Sequence, residues 1–490
     1  MRSTPMIATT NDTAGPGRPD QTREPLMNDR PNSAASRDVA YHLHPYTNAR
    51  KNEAEGPMVM TKGKGIYVTD ENGKEYIEGL AGLWCAGLGF SEERLVAAAT
   101  RQMRALPYYH AFAQKAPAPS IDLAERLIKL APVPMSKAFF ANSGSEANDT
   151  ALKIVWYYNN ALGKPERKKI ISRLRAYHGV TIAAASLTHL PYVQQGFDLP
   201  VSDRFIATGC PHYYRSAKEG ESESEFTTRL AEELDALIES EGPETVAAFI
   251  GEPLQGAGGV IVPPADYWAK IQKVLKKHDV LLIGDEVICG FGRTGRYWGC
   301  ETFGIEPDIM TMAKQLSSAY VPISAVLVND KVYQALADQS AALGVFGHGY
   351  TYSAHPLAAA VALETLKIYE EMDIAAKVRE VAPRLQDGLR RFADHPMVGE
   401  VRGIGLIAAV ELVADKASKA PFDPVGKVGG YFAGCAQAEG LIIRNLGDSI
   451  AVCPPMIITE AEIDELLARF GRALEATAQW VAGEGLASVA

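Results

Sequence analysis

Apolar runs alternate with amphipathic stretches between residues 120 and 330. The runs read KAFF, KKIIS, VAAFIGEP, VLLIGDEV, DIMTMAK and ISAVLV. Between them lie stretches with helical periodicity, such as IDLAERLIKLA and YWAKIQKVLKKH. Short runs that are apolar throughout are typical of strands buried on both faces, and their alternation with helices indicates βαβ units. The pattern therefore predicts an α/β fold whose mostly parallel sheet is flanked by helices.

The two flanking regions have a different pattern. The stretch GIYVTDENGKEYIEG, which starts at Gly65, predicts two short strands around a turn. Beyond Pro356 come long helical patterns, the strand motif VRGIGLIAAVEL, and a last helix near Thr459, where TEAE indicates a capping box. We expect a smaller α+β domain from both chain ends. Its predicted parts are 36–80 and 346–490, and the large domain spans 81–345.

The first 35 residues are rich in Pro, Gly, Ser, Thr, Asn and Asp and have few bulky apolar side chains. Such a segment buries too little apolar surface to offset the entropy of ordering it. The composition predicts a flexible arm over residues 1–35. Alternatively, translation begins at Met27, and the residues before it do not belong to the natural protein.

Composition narrows the classes of partner. The 490 residues are 47% hydrophobic and 22% charged, with a formal net charge of −10. An acidic protein is a poor partner for nucleic acid or an anionic membrane, so we expect small-molecule substrates. Six cysteines without CxxC spacing predict neither a disulfide framework nor a metal site. The sequence shows neither a signal peptide nor a membrane-spanning run, which predicts a cytoplasmic protein.

Five polar clusters directly follow predicted strands. They are NSGSEAN after Phe140, RAYHG after Ile171, GEPLQGAGG after Ile250, GDEV after Ile283, and AKQL after Met312. Ligands of parallel α/β sheets bind at the carboxyl ends of the strands, where the following loops converge. We therefore expect these clusters to form one site.

Each cluster also has a purely structural interpretation. Small residues at 142–148 predict a phosphate-binding helix start, although an ordinary serine N-cap has the same pattern. Asp285 is expected to be buried and to need a cationic partner, yet Glu286 could be the ionised group, or either could form a salt bridge with an arginine. The Tyr177–His178 pair offers a stacking face or packs in the core. Lys314 could be an ordinary surface lysine.

A phosphate cup, an aromatic face, a buried carboxylate and a lysine together suit pyridoxal phosphate. The lysine would form a Schiff base, the carboxylate would keep the pyridine nitrogen protonated, and the loop would hold the phosphate. The segment GFGRTG at 290–295 also matches the dinucleotide pattern GxGxxG. Its continuation RYWGCETFG is a poor helix opening, so we do not interpret it as a dinucleotide site.

These motifs, with GHGYTYSAHP and CPPMIITEAEIDELL, resemble the class III pyridoxal-phosphate aminotransferases of fold type I. The resemblance runs from about His42 to Leu467. Within the family, HLHPYTN, GLAGLWCAGLGF and LPYYHAF are most similar to the ω-amino acid and amine:pyruvate transaminases, including pyruvate-using 4-aminobutyrate transaminases.

The resemblance implies roles for individual residues. Lys314 would be the Schiff-base lysine and proton carrier, and Asp285 would pair with the pyridinium nitrogen. Further cofactor contacts are implied for Gly144, Ser145, Tyr177, His178, Glu252, Gln255, Val287 and Thr351. Because Thr351 would come from a neighbouring subunit, a homodimer or a dimer of dimers is expected. The implied substrate-binding residues are Tyr46, Trp84, Tyr109 and Arg444.

The chain departs from the family pattern at a few positions. Gln315, Ala319 and Ala354 stand where relatives often have glycine, and Val180 stands where 2-oxoglutarate users commonly have arginine. The expected reaction is ping-pong transfer from a primary amine or ω-amino acid, such as β-alanine or 4-aminobutyrate, to pyruvate. The alternatives are another class III enzyme, such as a decarboxylating transaminase or an aminomutase, and a nicotinamide-dependent dehydrogenase.

Overall fold

The structure is a computed structural model that describes residues 32–486. These residues form two compact units, 32–61 with 70–73 and 62–69 with 74–486. Residues 1–31 of the predicted flexible arm lie outside the described residues, and a helix begins at Ala34. None of the helices within 32–486 has the length and apolarity needed to cross a bilayer.

The helices and strands have the following bounds. The helices are α1 (Ala34–Tyr41), α2 (Ala49–Glu55), α3 (Ala81–Trp84), α4 (Glu93–Ala105), α5 (Ala118–Leu130), α6 (Gly144–Ala161), α7 (Ile182–Ser186), α8 (Pro191–Gln194), α9 (Tyr213–Ser216), α10 (Glu223–Glu241), α11 (Tyr267–Lys277), α12 (Gly299–Phe303), α13 (Asp330–Leu343), α14 (Pro356–Glu371), α15 (Ile374–Arg390), α16 (Lys427–Ala438) and α17 (Glu460–Glu484). The strands are β1 (Met60–Lys64), β2 (Tyr67–Asp70), β3 (Glu75–Glu78), β4 (Lys137–Ala141), β5 (Lys169–Arg173), β6 (Phe205–Thr208), β7 (Val246–Gly251), β8 (Leu281–Asp285), β9 (Ile309–Met312), β10 (Ser324–Val328), β11 (Val398–Ile404), β12 (Ile407–Leu412), β13 (Leu441–Ile442), β14 (Arg444–Leu446) and β15 (Ser449–Val452).

A seven-stranded sheet with the order β4-β10-β9-β8-β7-β5-β6 forms the centre of the larger unit. Strands β6, β5, β7, β8 and β9 pair in parallel with one another in that order, whereas β10 runs antiparallel to both β9 and β4. The predicted mostly parallel sheet is confirmed. Strand β6 was not predicted, because its apolar run is only the three residues Phe-Ile-Ala, one of which is exposed.

The central strands are buried on both faces. Phe249 of β7 packs in one hydrophobic cluster with Phe226 and Trp268 from α10 and α11. Its neighbour Ile250 packs in a second cluster with Leu152 of α6. Successive strand residues point to opposite faces, so two clusters imply a helical layer on each side of the sheet. Full burial of each such side chain contributes about 1.5–3 kcal/mol.

Two smaller sheets are formed by segments near the chain ends. One has the order β1-β2-β3-β13, in which β13 pairs in parallel with β3 through Leu441 and Ile77. The other has the antiparallel order β11-β12-β15-β14. Because β3 and β13 come from opposite chain ends, the smaller α+β part is built from both ends. The boundaries placed at residues 36, 80, 345 and 346 stay a prediction.

Local signals in the sequence predicted several element ends. Helix α17 begins directly after Thr459, whose side chain accepts a hydrogen bond from the Glu462 amide, while the Glu462 side chain accepts from the Thr459 amide. This is the capping box predicted from TEAE. The stretch VRGIGLIAAVEL forms two antiparallel strands, β11 and β12, which the sequence had indicated only as one strand motif.

Candidate active site

Asp285 is the last residue of β8, and its buried carboxylate is held by three donors. Its Oδ2 accepts hydrogen bonds from His178 Nδ1 at 2.8 Å and from Asn148 Nδ2 at 2.9 Å. Its Oδ1 accepts from the Val287 amide at 3.1 Å. Within residues 32–486, no arginine forms an ion pair with this carboxylate. Donors from three separate chain segments therefore fix the orientation of Asp285.

Glu286 has different partners from its neighbour. It is fully buried and accepts hydrogen bonds from the Gly299 amide at 3.0 Å and the Cys300 amide at 2.5 Å, at the start of α12. Burial raises the pKa of Glu286 to about 7. Glu286 therefore stabilises the first turn of α12. Asp285 is the carboxylate that lies where the loops after the strands meet.

The loop between β4 and α6 has the features of an anion site. The Ser143 side chain caps α6 by accepting from the Glu146 amide at 3.2 Å, so the serine N-cap expected as the structural alternative is present. The amides of the following turn carry the positive end of an 18-residue helix. A Cβ at Gly144 would lie 3.1 Å from Val287 Cγ1, which brings the segment after β8 against the helix start.

The loop after β5 meets the same helix start. The Val180 amide donates to Ser145 Oγ at 3.1 Å. Gly179 has φ +134°, and a Cβ there would lie 2.5 Å from Ser145 Oγ, closer than real Cβ contacts allow. Only glycine therefore lets these two loops approach each other. Gly144 and Ser145 therefore lie where the two loops meet at the helix start, and a contact of these residues with a phosphate stays a prediction.

Glu252 holds the backbone of Tyr177. Its Oε1 accepts from the Tyr177 amide at 3.1 Å, and its Oε2 accepts from the Gly256 amide at 2.8 Å. Burial raises the pKa of Glu252, and the nearby His178 opposes that rise. Gln255 lies on the same loop, where its Nε2 donates to the Leu174 carbonyl at 2.9 Å. These contacts fasten the segment after β7 to the segment after β5.

Lys314 begins a short 3₁₀ helix just after β9, with φ 47°. Strands β8 and β9 pair in parallel with Asp285 opposite Thr311, so the two carboxyl ends deliver Asp285 and Lys314 to one edge of the sheet. Burial lowers the pKa of Lys314, opposed by Cys85 and Asp285. No hydrogen bond or ion pair joins its ammonium group to another residue within 32–486. A partly buried, unpaired amine with a lowered pKa is the form of lysine that acts as a nucleophile.

Of the three positions where relatives often have glycine, Gln315 and Ala319 follow this lysine and Ala354 follows Thr351. Gln315 is fully buried, and its Nε2 donates to the Ile288 carbonyl at 3.2 Å. Its own carbonyl accepts from Tyr369 Oη at 3.1 Å. Ala319 and Ala354 both lie in the left-handed region, with φ of 64° and 58°. The backbone at these two alanines is therefore one that glycine adopts with less strain.

The structure places the predicted substrate residues in different environments. Trp84 is 2% exposed and packs in a core cluster with Leu254 and Ile407. Tyr109 is exposed, and Arg444 is half-buried on β14. Tyr46 is exposed in the smaller unit. Their contacts with a substrate stay a prediction.

Thr351 is exposed on the larger unit. Its carbonyl accepts a hydrogen bond from Tyr108 Oη at 2.9 Å. Its contact with the phosphate of a neighbouring subunit stays a prediction.

Asn148 belongs to the motif NSGSEAN, but no role was predicted for it. Its Nδ2 donates both to Asp285 Oδ2 and to the His178 carbonyl, the latter at 2.6 Å. Thr188 was also missed, and its Oγ1 accepts from the His178 amide at 2.8 Å. Asn148 follows Gly144 by four residues, so helical spacing places both on one face of α6. That spacing was the available signal, whereas Thr188 offered none.

The GxGxxG segment at 290–295 does not open a long helix. It forms turns, and the next helix is the five-residue α12. Arg293 is fully buried and donates through Nη1 to the carbonyls of Leu406 at 3.0 Å and Pro454 at 2.6 Å. The segment therefore connects the central sheet to the strands near the C-terminus. It lacks the long helix that a dinucleotide site needs directly after the glycines.

The assembled groups fit pyridoxal phosphate. The start of α6 offers amides to a phosphate, Asp285 offers a fixed carboxylate to a ring nitrogen, and Lys314 offers an unpaired amine to a carbonyl carbon. The Val287 side chain lies against Gly144 at the start of α6. The five polar clusters that follow β4, β5, β7, β8 and β9 thus meet at one end of the sheet.

Comparison with known proteins gives the same result. A family model described as aminotransferase class-III matches residues 48–474. The chain is 51% identical over 436 residues to gamma aminobutyrate transaminase 3, chloroplastic, of Solanum lycopersicum, covering 89% of this chain and 84% of that protein. It is 50% identical to vanillin aminotransferase of Capsicum frutescens, covering 89% and 95%.

A solved structure has the same fold. The ω-transaminase from Pseudomonas jessenii in complex with PMP superimposes with a TM-score of 0.91 at 59% identity, covering 92% of this chain and 99% of that one. Family match, sequence identity and fold agree along almost the whole described chain. The chain therefore belongs to the class III aminotransferases, the transaminases of fold type I that use pyridoxal phosphate.

Proposed function

We propose that this aminotransferase moves an amino group from a primary amine or ω-amino acid, such as β-alanine or 4-aminobutyrate, to pyruvate. The relatives support the donor class, because their names include a gamma aminobutyrate transaminase and a vanillin aminotransferase. The observation that carries the proposal is the pair formed by Lys314, an amine without a partner, and Asp285, a carboxylate held by His178 and Asn148.

The residues divide the chemistry between them. When bound, pyridoxal phosphate supplies an electron sink for the carbon that carries the amino group. Lys314 Nζ would remove the proton from that carbon and deliver it to the cofactor carbon that carries the nitrogen, a transfer that the lowered pKa of this lysine favours. Asp285 carries the negative charge that faces the ring nitrogen. Ser145 and the amides at the start of α6 bind the phosphate.

Val180 supports pyruvate as the acceptor. Its side chain is exposed at the position where relatives that use 2-oxoglutarate commonly carry an arginine. A second carboxylate brought to this position finds no cation there to compensate for the water that it loses on binding. Pyruvate has a single carboxylate, for which Arg444 offers a guanidinium with no ion pair to another residue of 32–486.

Amine-donor screening with pyruvate tests the activity itself. We expect alanine to form from β-alanine, 4-aminobutyrate or an aryl amine. Lys314→Ala is expected to lose at least about a hundredfold in turnover, because general base catalysis alone supplies about 10²–10⁴-fold. Lys331→Ala, at a half-exposed lysine outside the site, is the control. Near-normal turnover by Lys314→Ala would contradict the assignment.

Acceptor preference is measured separately, as kcat/KM for pyruvate and for 2-oxoglutarate with one common amine. We expect wild type to prefer pyruvate, and Val180→Arg to raise kcat/KM for 2-oxoglutarate at least about tenfold, as a charge-assisted hydrogen bond of 1.5–3 kcal/mol allows. Val180→Met, similar in length but uncharged, is the matched control. Comparable wild-type values for the two acceptors would refute the role given to Val180.

A further inference from the structure

Three groups of titratable side chains outside the active site have metal-binding geometry among residues 32–486. They are Asp38 with His42 and His44, His212 with Glu400 and Glu411, and Asp235 with Glu239 and His278. In each group, one ligating atom from every member lies within 4.8 Å of the others. The groups differ in whether a protein cation already neutralises their carboxylates.

Two of the groups are already neutralised by protein cations. Arg402 Nη1 lies 2.6 Å from Glu400 Oε2 and 2.5 Å from Glu411 Oε2. Lys277 Nζ lies 2.8 Å from both oxygens of Asp235. A cation in these positions fills the sites that a metal ion would use. These two groups are therefore ion-pair networks.

The group at Asp38 has no such cation. Its carboxylate contacts His42 Nδ1 at 3.0 Å through Oδ1 and His44 Nε2 at 2.6 Å through Oδ2. No lysine or arginine of residues 32–486 lies within ion-pair distance of it. Two imidazoles and one carboxylate are a ligand set that suits zinc and leaves further positions open for water.

Local structure brings these three ligands together. Asp38 lies in α1, and His42 is four residues later at the C-cap, so both lie on one helix face. The backbone is extended at His42, and the intervening Leu43 side chain is 85% exposed. Because side chains alternate along an extended segment, His44 lies on the same side as His42. The centroids of the two rings are 4.3 Å apart.

We propose that Asp38, His42 and His44 bind one Zn²⁺ ion per chain. Zn²⁺ bound at about 2.0–2.2 Å from each ligand requires neighbouring ligand atoms about 3.3 Å apart, close to the contacts seen here. The ion replaces the protons that now join the two imidazoles to the carboxylate. It cross-links α1 to the chain just before Tyr46, and it uses none of the cysteines.

Zinc titration of chelator-treated holoenzyme against a chromogenic chelator tests the proposal. We expect wild type to bind one more equivalent of zinc per chain than the His42→Ala, His44→Ala double variant. Amide exchange is expected to slow at residues 38–44 when zinc is added to wild type, and to stay unchanged in the double variant. The second measurement separates this site from zinc bound by thiols elsewhere.

The matched control is the Asp235→Asn, His278→Ala double variant, which carries changes of the same chemistry in a neutralised group. It is expected to keep the wild-type zinc stoichiometry. The proposal is overturned if wild type and the His42→Ala, His44→Ala variant bind the same number of ions. The proposal is also overturned if the Asp235→Asn, His278→Ala control loses one equivalent of bound zinc while the His42→Ala, His44→Ala variant does not.

Discussion

At the scale of single residues, burial sets the chemistry of Lys314. Removal of a charged ammonium from water favours its neutral form, and this effect lowers the pKa of Lys314 below its ordinary 10.5. Cys85 and Asp285 oppose the shift only in part. The lysine is thereby available as a nucleophile and base nearer to neutral pH.

The lowered pKa has a consequence for stability. Between the folded and the ordinary pKa, the unfolded chain binds more protons at Lys314, so its contribution to the free energy of unfolding rises with pH. We expect Lys314→Met to raise the Tm of the cofactor-free protein at pH 7, by an amount that shrinks as the pH approaches 10.5. Lys314→Arg keeps the charge and should show no gain. A gain independent of pH would contradict this account.

Arg444 is expected to act on the acceptor only. Removal of a guanidinium that binds a carboxylate costs about 1.5–3 kcal/mol, so Arg444→Ala should raise KM for pyruvate at least about tenfold. KM for an uncharged aryl amine should change little. Arg444→Lys keeps the charge but loses the bidentate fork, so its KM for pyruvate should lie between those of wild type and Arg444→Ala. Steady-state kinetics with both substrates measure these KM values. Equal changes of KM for pyruvate and for the amine would contradict a role of Arg444 in binding the acceptor.

At the scale of elements, the site depends on loops that approach each other closely. The loop after β5 touches the start of α6 through Gly179 and Ser145, and the segment after β8 touches it through Val287. Gln315 joins the turn after β9 to the segment after β8 through the Ile288 carbonyl. Each contact fixes the distance between two groups that would hold the cofactor, so the loops form one rigid support.

Gly179→Ala should break that support. The new Cβ would lie 2.5 Å from Ser145 Oγ, and one loop would have to move away from α6. We expect affinity for pyridoxal phosphate to fall at least about tenfold, since phosphate contacts depend on that helix start. Fluorescence titration of the cofactor-free protein measures this.

Gly163→Ala is the matched control for this change. Gly163 also has positive φ, at 68°, but a Cβ there would meet nothing within 4 Å. It should cost about 1 kcal/mol in stability through backbone strain and leave cofactor affinity unchanged. Equal losses of affinity in both variants would show that strain, and not the collision with Ser145, is responsible.

At the scale of the whole molecule, we propose that the active site is shared between subunits of a homodimer. Thr351 is exposed on the described surface, and only its carbonyl is engaged, by Tyr108. A hydroxyl presented in this way is available to the phosphate site of a second copy. The cytoplasmic location expected from the sequence stays a prediction.

Subunit mixing tests this sharing. Lys314→Ala and Thr351→Ala should each have low activity alone. In a mixed dimer, one site would combine an intact Lys314 from one chain with an intact Thr351 from the other, and activity should return. Two differently tagged variants, unfolded and refolded together, allow the mixed dimer to be isolated. A mixed dimer without recovered activity would contradict the contribution of Thr351 across the interface.

Several features of this protein followed from the sequence by itself. Mostly apolar runs predicted strands β4, β5, β7, β8, β9 and β10, because burial on both faces favours apolar residues at successive positions of a strand. Loops at strand ends predicted that Gly144, Tyr177, Asp285 and Lys314 would meet, since parallel strands end at one edge. The capping box at Thr459 was readable because its partners are three residues apart.

Other features were decided only by the tertiary structure. Asn148 and Asp285 are 137 positions apart, so no local pattern indicates their hydrogen bond. The antiparallel direction of β10, the burial of Trp84 and the partners of Glu286 likewise depend on contacts between distant segments. The sequence determines periodicity and short-range hydrogen bonds, because these involve residues a few positions apart. The choice among distant partners is made by packing of the whole chain.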